Sequence, residues 1–468
     1  METSRSRRGQ IWVLALTSFA SFMISLDSQV VTTVLNVIRT DLGASMELLE
    51  WTVNAYILSF AVLLLAGSAL GDRFGRRRML MAGLVLFTAS SAACGVAPNV
   101  ATLIAARAIQ GMGAALIMPV AMALVSGAYS AAERGKALGI FASITGAAMI
   151  AGPVLGGAIA AGFAWQWIFW INVPIGLVLL PLIYRHIGES FGPKAKLDLP
   201  GIGLVTIAAF ALVWSLMRGN PAGWLSREVI TGFALSIFAL ILFIQWEARA
   251  AQPMLSLQLF RLRAFAVGNL ASLPYYAAIY GTTFLLAQFL QTAQGYGPLG
   301  AGLRILPWTA TLFFMAPVAG SLINRVGEKL LVVLGMLLQG IGMGLIALLA
   351  TPGLTTLQLA IPLVIAGCGG SIAMPAVQNA VLSAVPPAAL GKASGTFNML
   401  RFLGGMLGIA MLVAAFSATG STASPQAFTA GFSPAMATAA LLSLLGAVTG
   451  LLLPARAAAK LAARPQEA

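Results

Sequence analysis

The residue types that could do chemistry in this chain are few and widely spaced. Asp27 stands in the run Leu26-Asp27-Ser28-Gln29-Val30-Val31 and is the only acidic residue deep in any apolar stretch. Three basic residues, Arg107, Arg304 and Arg401, also fall inside apolar stretches. A charge at the centre of a membrane helix costs about 2.5–3.5 kcal/mol on insertion scales, so each needs an anionic partner or a wet cavity. At about 1.5 Å per residue, counted from the outer ends of their stretches, Asp27 lies roughly 15 Å deep and Arg107 roughly 10 Å. A carboxylate poised between desolvation and a nearby cation can load and release a proton. Asp27 is therefore expected to carry a proton and Arg107 to modulate it; a static buried ion pair is the alternative. No other chemistry is indicated. His186 is the single histidine, and Cys94 and Cys368 both sit in apolar stretches, so no metal site is expected. Clustered catalytic groups inside the apolar stretches are absent, so no catalytic residues are assigned and no enzyme is expected. No G-x-x-x-x-G-K-[ST] loop occurs, so nucleotide is not expected to supply the energy, and no cofactor is expected beyond a proton gradient.

The elements that must hold these groups follow from composition. Of 468 residues, 59% are hydrophobic and only 9% charged, 27 Lys+Arg against 13 Asp+Glu. Soluble domains carry about 25% charged residues, so a cytosolic enzyme, a disordered chain and a secreted disulfide scaffold are excluded. No charged residue lies between Lys136 and Arg185, Lys329 and Lys392, or Arg401 and Arg456. Each gap is too long for one helix of about 20 residues and reads as a helical hairpin. The runs are apolar all round, which suits helices and not transmembrane strands. Fourteen spans are expected, at about 11–37, 49–70, 79–97, 101–124, 136–160, 166–185, 199–217, 229–246, 264–289, 300–322, 330–350, 357–381, 393–417 and 431–453. Glu47 and Glu50 fall at the outer edge of the second. With a cytoplasmic N-terminus, 21 of the 27 basic residues are inside, so both termini are expected in the cytoplasm. The net charge of +14 thus marks a membrane face and not a nucleic-acid partner.

The second half echoes the first. Ser68-Ala69-Leu70-Gly71-Asp72-Arg73-Phe74-Gly75 has a counterpart in Gly320-Ser321-Leu322-Ile323-Asn324-Arg325-Val326-Gly327. Gly111-x-Gly113 with Met118-Pro119 matches Gly367-x-Gly369 with Met374-Pro375, and Gly135-Lys136-Ala137 matches Gly391-Lys392-Ala393. Three matches in order, at an almost constant offset, indicate two parallel six-helix repeats. The expected architecture is an all-α polytopic membrane protein. Residues 1–190 form the first six-helix bundle, 191–250 an inserted two-helix hairpin, and 251–468 the second bundle with a tail. These motifs resemble the major facilitator superfamily, and within it the fourteen-span drug:proton antiporters, from about residue 11 to 455.

That resemblance implies roles. Leu70-Gly71-Asp72-Arg73-Phe74-Gly75-Arg76-Arg77-Arg78 looks like the family's cytoplasmic gate signature, in which Asp72, Arg73, Gly75, Arg76 and Glu133 would hold one state of the rocking cycle and Asp72 would meet the helix start near Gly391. Asn324 replaces the Asp in the second copy. Arg107-Ala108-Ile109-Gln110-Gly111-Met112-Gly113 is similar to the R-x-x-Q-G-x-G motif of span 4. Gly152-Pro153-Val154-Leu155-Gly156-Gly157 resembles the antiporter motif of family exporters, where Gly152, Pro153, Gly156 and Gly157 bend and pack the helix. Trp165-Gln166-Trp167-Ile168-Phe169-Trp170-Ile171-Asn172-Val173-Pro174-Ile175-Gly176 resembles a segment of the fourteen-span family, with Gln166 in place of Arg, and speaks for the subfamily more than for any chemistry. Gln110, Gly111, Tyr276, Tyr280, Asn398 and Arg401 are expected at the substrate cavity.

The expected function is proton-coupled export of amphipathic compounds by alternating access across the inner (plasma) membrane. One embedded acid against three embedded arginines makes the cavity neutral to positive, so amphipathic neutral or anionic substrates are expected. The partners are that small molecule, protons and the lipid bilayer, with no nucleic acid, and the protein is expected to work as a monomer. A dedicated exporter of one metabolite or self-made antibiotic is the runner-up; an importer is disfavoured by the motif at 152–157.

Overall fold

A computed structural model describes residues 7–192, 198–250, 253, 255–386 and 389–454. Every regular element among them is helical. The elements are α1 (Arg7–Leu42), α2 (Met46–Phe74), α3 (Arg76–Gly95), α4 (Val100–Ala128), α5 (Ala131–Gly162), α6 (Trp167–Trp170), α7 (Asn172–His186), α8 (Leu199–Ala222), α9 (Arg227–Arg249), a 3₁₀ turn (Leu257–Arg261), α10 (Arg263–Thr292), α11 (Pro298–Thr309), α12 (Thr311–Val326), α13 (Glu328–Leu349), α14 (Thr356–Leu382), α15 (Leu390–Thr419) and α16 (Pro425–Gly450).

Thirteen stretches are long and apolar enough to cross a membrane, α6 and α7 counting as one. The fourteenth expected span, 300–322, is divided. α11 and α12 meet at Ala310, just after Pro307.

The chain forms two compact units: Met1–Ser215 with Ile230–Met254 and Gly295–Leu303, and Leu216–Val229 with Leu255–Gln294 and Arg304–Ala468. The inserted hairpin α8–α9 contributes to both, its connecting end 216–229 falling in the second. α9 presents Ile230, Ile237, Phe238, Ile241 and Ile244 outward, which is the surface that lipid requires of a spanning helix.

Lipid tails are as apolar as leucine, so apolar burial does not drive these helices together and close backbone approach must. In the first unit Gly67 of α2 lies against the Ala115 carbonyl of α4, and Gly111 of α4 against the Tyr56 carbonyl of α2. In the second, Gly408 of α15 lies against the Ala277 backbone of α10. Two corresponding glycines of the repeat also share a conformation. Gly75, between α2 and α3, has φ 108°, and Gly327, between α12 and α13, has φ 84°. Both values are open to glycine and costly for other residues.

Gly67→Val and Gly408→Val are each expected to lower the melting temperature of the detergent-purified protein by several degrees. Gly139→Ala, where a Cβ meets nothing within 4 Å, should leave it unchanged. Equal melting of all three variants would show that these crossings do not set stability.

Candidate functional site

The site lies in the first unit and is built on four long helices. α1 buries one face through Met23, Leu26, Asp27, Val30 and Val34, so Asp27 takes a core position among apolar residues. α4 buries Arg107, Gln110, Gly111 and Ala114 on one stripe, as the helical repeat of their spacing dictates. Asp27 is 2% and Arg107 1% exposed. The Arg107 Nη1 donates to Asp27 Oδ2 at 2.5 Å. Gln110 Nε2 donates to the other oxygen, Oδ1, at 3.0 Å, and Asn172 Nδ2 of α7 donates to the same oxygen at 2.9 Å.

The arginine is equally well held. Its Nη1 also donates to Gln110 Oε1 at 2.8 Å, and its Nε to the Thr52 carbonyl of α2 at 3.2 Å. The guanidinium carbon stands 4.2 Å from the centre of the Tyr56 ring. Asn172 donates onward to Ser91 Oγ of α3 at 3.0 Å, and Ser91 donates to the Phe169 carbonyl at 2.9 Å. The depth argument thus brought the right two residues together, but Asn172 was missed as a member. Its signal was its place in the family-like segment at 165–176. Gln110, expected at a substrate cavity, bonds both members of the ion pair, and Gly111 packs on α2.

The glycine motif lies directly beyond the pair. Gly152 packs on Gln29 and Gly156 on the Val30 backbone of α1, while Gly157 packs on Pro298 and Leu299. Pro153 meets Gly302, whose missing side chain leaves room for the Pro153 carbonyl. The turn of α1 after Asp27 is therefore in backbone contact with α5.

A second acid is buried near the outer end of its span. Glu50, in the second turn of α2, is 1% exposed, and its Oε1 has no hydrogen-bond partner. Asn54, one turn on, is fully buried with both amide atoms unbonded. The spacing of four was the one visible hint that they share a face.

The basic turn at Gly75 shows one of the expected partnerships. Asp72 pairs with Arg76 at 2.7 Å, and its backbone carbonyl accepts from Gly192 at 3.0 Å. Arg73 is exposed with its guanidinium over Phe74. Glu133 accepts from Ser130 at the start of α5, with no ion pair to Arg76 among the described residues. The unforeseen member is Glu189. α3 begins with three arginines, the wrong sign for a helix N-terminus. The Glu189 carboxylate accepts from the Arg77 and Arg78 backbone N–H groups at 2.9 and 3.3 Å and pairs with the Arg78 side chain at 3.7 Å.

In the second unit Tyr276 is buried, with the Arg401 guanidinium 4.8 Å from its ring centre and 5.3 Å from that of Phe402. Tyr280 stacks edge-on to Phe402 at 6.3 Å. Asn398, expected at the cavity, donates to the Ser394 carbonyl of its own helix at 2.9 Å. Arg304 donates to Thr356 Oγ1 at 3.2 Å in an exposed position. No cluster of three or more metal-binding side chains occurs among the described residues.

Thirteen apolar helical stretches, with an ion pair buried among those of the first unit, make this a multi-pass membrane protein. Residues 17–409 match the Major Facilitator Superfamily, and the chain belongs to that family. It is 33% identical over 407 residues to the multidrug resistance protein Stp of Mycobacterium tuberculosis, covering 86% of this chain and 75% of that one. It is likewise 33% identical over 450 residues to the cephamycin export protein CmcT of Amycolatopsis lactamdurans, covering 95% and 92%. A crystal structure of a POT family transporter in complex with 5-aminolevulinic acid superposes with a TM-score of 0.70 at 16% identity, over 93% of this chain and 94% of that one. That likeness is one of fold.

Removing one member of a buried ion pair strands the other charge, at about 3–5 kcal/mol, whereas removing both is far less harmful. Asp27→Leu and Arg107→Leu should therefore each destabilise strongly. The double variant should be more stable than the sum of the two by at least about 1 kcal/mol. Additive losses in thermal or denaturant unfolding would contradict the geometry.

Proposed function

We propose that this transporter exports amphipathic small molecules in exchange for protons, by alternating access of the fourteen-span drug:proton antiporter type. The observation that carries the reading is the Asp27 carboxylate, held 2% exposed between one arginine and two amides. A proton on Asp27 cancels the charge that Arg107 answers and loosens a link between α1 and α4. Deprotonation restores it. Proton occupancy and helix position thereby become one variable, which is the requirement for coupling. An inward proton brings about 2.3 kcal/mol per 100 mV of potential, in addition to its concentration gradient.

The backbone contact of α5 with the turn beyond Asp27 supports a role for the glycine motif in carrying that change to a neighbouring helix. Names of relatives, multidrug resistance for one and cephamycin export for another, support the outward direction. The excess of embedded arginine over embedded acid supports neutral or anionic substrates over cationic ones. In this reading the protein lies in the plasma membrane with both termini cytoplasmic and works as a monomer. A second reading, a dedicated exporter of one compound, is favoured by the relative whose name gives a single antibiotic; the breadth of substrates bound separates the two.

Asp27→Asn preserves shape and removes the titrating group. In proteoliposomes with an imposed pH gradient it should abolish uphill dye movement while leaving protein level and downhill exchange measurable. Uphill movement at the native rate would remove Asp27 from the coupling role.

A further inference from the structure

The two halves of the repeat treat their embedded arginines in opposite ways. Arg107 is answered by a carboxylate, a side-chain amide and a backbone carbonyl. Arg401 lies about 16 Å along α15 at 1.5 Å per residue, near the middle of a span, and has no carboxylate partner among the described residues. The acids of its unit are committed elsewhere. Glu228 faces Arg218 at 3.5 Å, and Glu328 accepts from Asn379 at 2.7 Å; Glu467 lies outside the described residues.

The surroundings of Arg401 are aromatic. Tyr276 and Phe402 face the guanidinium, Tyr275 and Phe397 pack edge-on against Tyr276 at 4.7 and 6.2 Å, and Tyr280 packs on Phe402. Two polar atoms there are buried and unbonded: Arg401 Nε and Tyr276 Oη. Both carry a proton to donate. Donors without an acceptor, beside a cation without an anion, form the imprint of an oxyanion. The neighbouring hydroxyls are already used, Tyr275 donating to the Gly370 carbonyl at 2.6 Å and Tyr280 bonding Arg401, so the unmet demand falls on the Arg401 Nε and the Tyr276 Oη.

We propose that Arg401 and Tyr276 anchor a single oxyanionic group, a carboxylate or phenolate, on a substrate whose flat apolar body stacks among Tyr280, Phe397 and Phe402. The site rests on the export reading and gives it a substrate class: monoanionic aromatic amphiphiles. It also assigns the two repeats different work. In the first the arginine is neutralised internally and its partner takes the proton. In the second the arginine waits for a counterion that only the cargo supplies. A loaded cargo then brings the second unit to the charge balance that the first unit has while Asp27 is ionised.

The test is binding of three probes of one shape to the full-length protein in lipid nanodiscs, followed by fluorescence: 9-anthracenecarboxylate, its uncharged carboxamide, and 9-(aminomethyl)anthracene as the cation. The native protein is expected to bind the carboxylate about tenfold or more tightly than the amide, as a charge-assisted hydrogen bond implies. Arg401→Gln should bring the two within about twofold, Arg401→Lys should keep part of the preference, and Arg401→Glu should turn it toward the cation. Tyr276→Phe, which keeps the ring, should weaken the carboxylate more than the amide. A native protein that binds the carboxylate no better than the amide, or an Arg401→Gln variant that keeps the full preference, overturns the proposal. Proton-driven flux of a neutral dye is measured on the same preparations. Flux without anion preference removes this site and leaves antiport standing, whereas anion preference without proton-driven flux keeps the site and removes antiport.

Discussion

The structure of the first unit depends on one buried ion pair. Two opposite charges in a medium of low dielectric attract strongly, yet each loses far more solvation than a surface pair does. The pair is tolerable only if every remaining donor and acceptor is matched. That condition explains why five helices and the short α6 converge on Asp27 and Arg107: α1 and α4 bring the charges, α4 and α7 the amides, α2 a carbonyl, and α3 and α6 the serine and carbonyl behind Asn172. None can move far without stranding a charge. In the proposed antiport, a proton on Asp27 acts at the one point where these demands meet.

Close packing supplies the distances that the network needs. Hydrogen bonds of 2.9 to 3.2 Å across helices require backbones nearer than bulky side chains permit. The glycines of α2 and α4 meet that need around Arg107, with Gly111 directly below Gln110 in the chain. The run at 152–157 does the same for α5 against α1. Small residues and the charged pair are thus two parts of one arrangement: the first lets helices approach, and the second fixes where they stop.

The repeat has kept its frame and changed its chemistry. Gly75 and Gly327 retain the same unusual backbone angle at equivalent turns. At the turn itself the first copy uses Asp72 with Arg76 and borrows Glu189 to cap an arginine-rich helix start. The second begins its helix with Glu328, a carboxylate already of the right sign for an N-terminus. Deeper in, the first copy carries a matched ion pair and the second a cation in an aromatic setting, with no carboxylate partner among the described residues. Duplicated folds can divide work in this way because the helical scaffold is indifferent to which polar group a buried position holds, provided its demands are met.

How much was legible in the sequence follows from the range of the forces involved. Helix content, the number of crossings, the repeat and the depth of Asp27 and Arg107 are set by composition and by a fixed rise per residue, which a one-dimensional string records. The break at Ala310 within the tenth span, the burial of Glu50 and the partners of Asn172 are set by which helix lies beside which. Asn172 sits 145 residues from Asp27, and no local pattern links them. Glu189 reaches Arg77 over 112 residues, and its value comes from a helix end that only the folded chain puts beside it. The sequence by itself determined that a few charges would be forced into an apolar interior, since insertion energy depends on residue type and depth. The tertiary structure alone decided which of those charges is answered within the protein and which is left open, because pairing depends on distances across helices that carry no sequence signal.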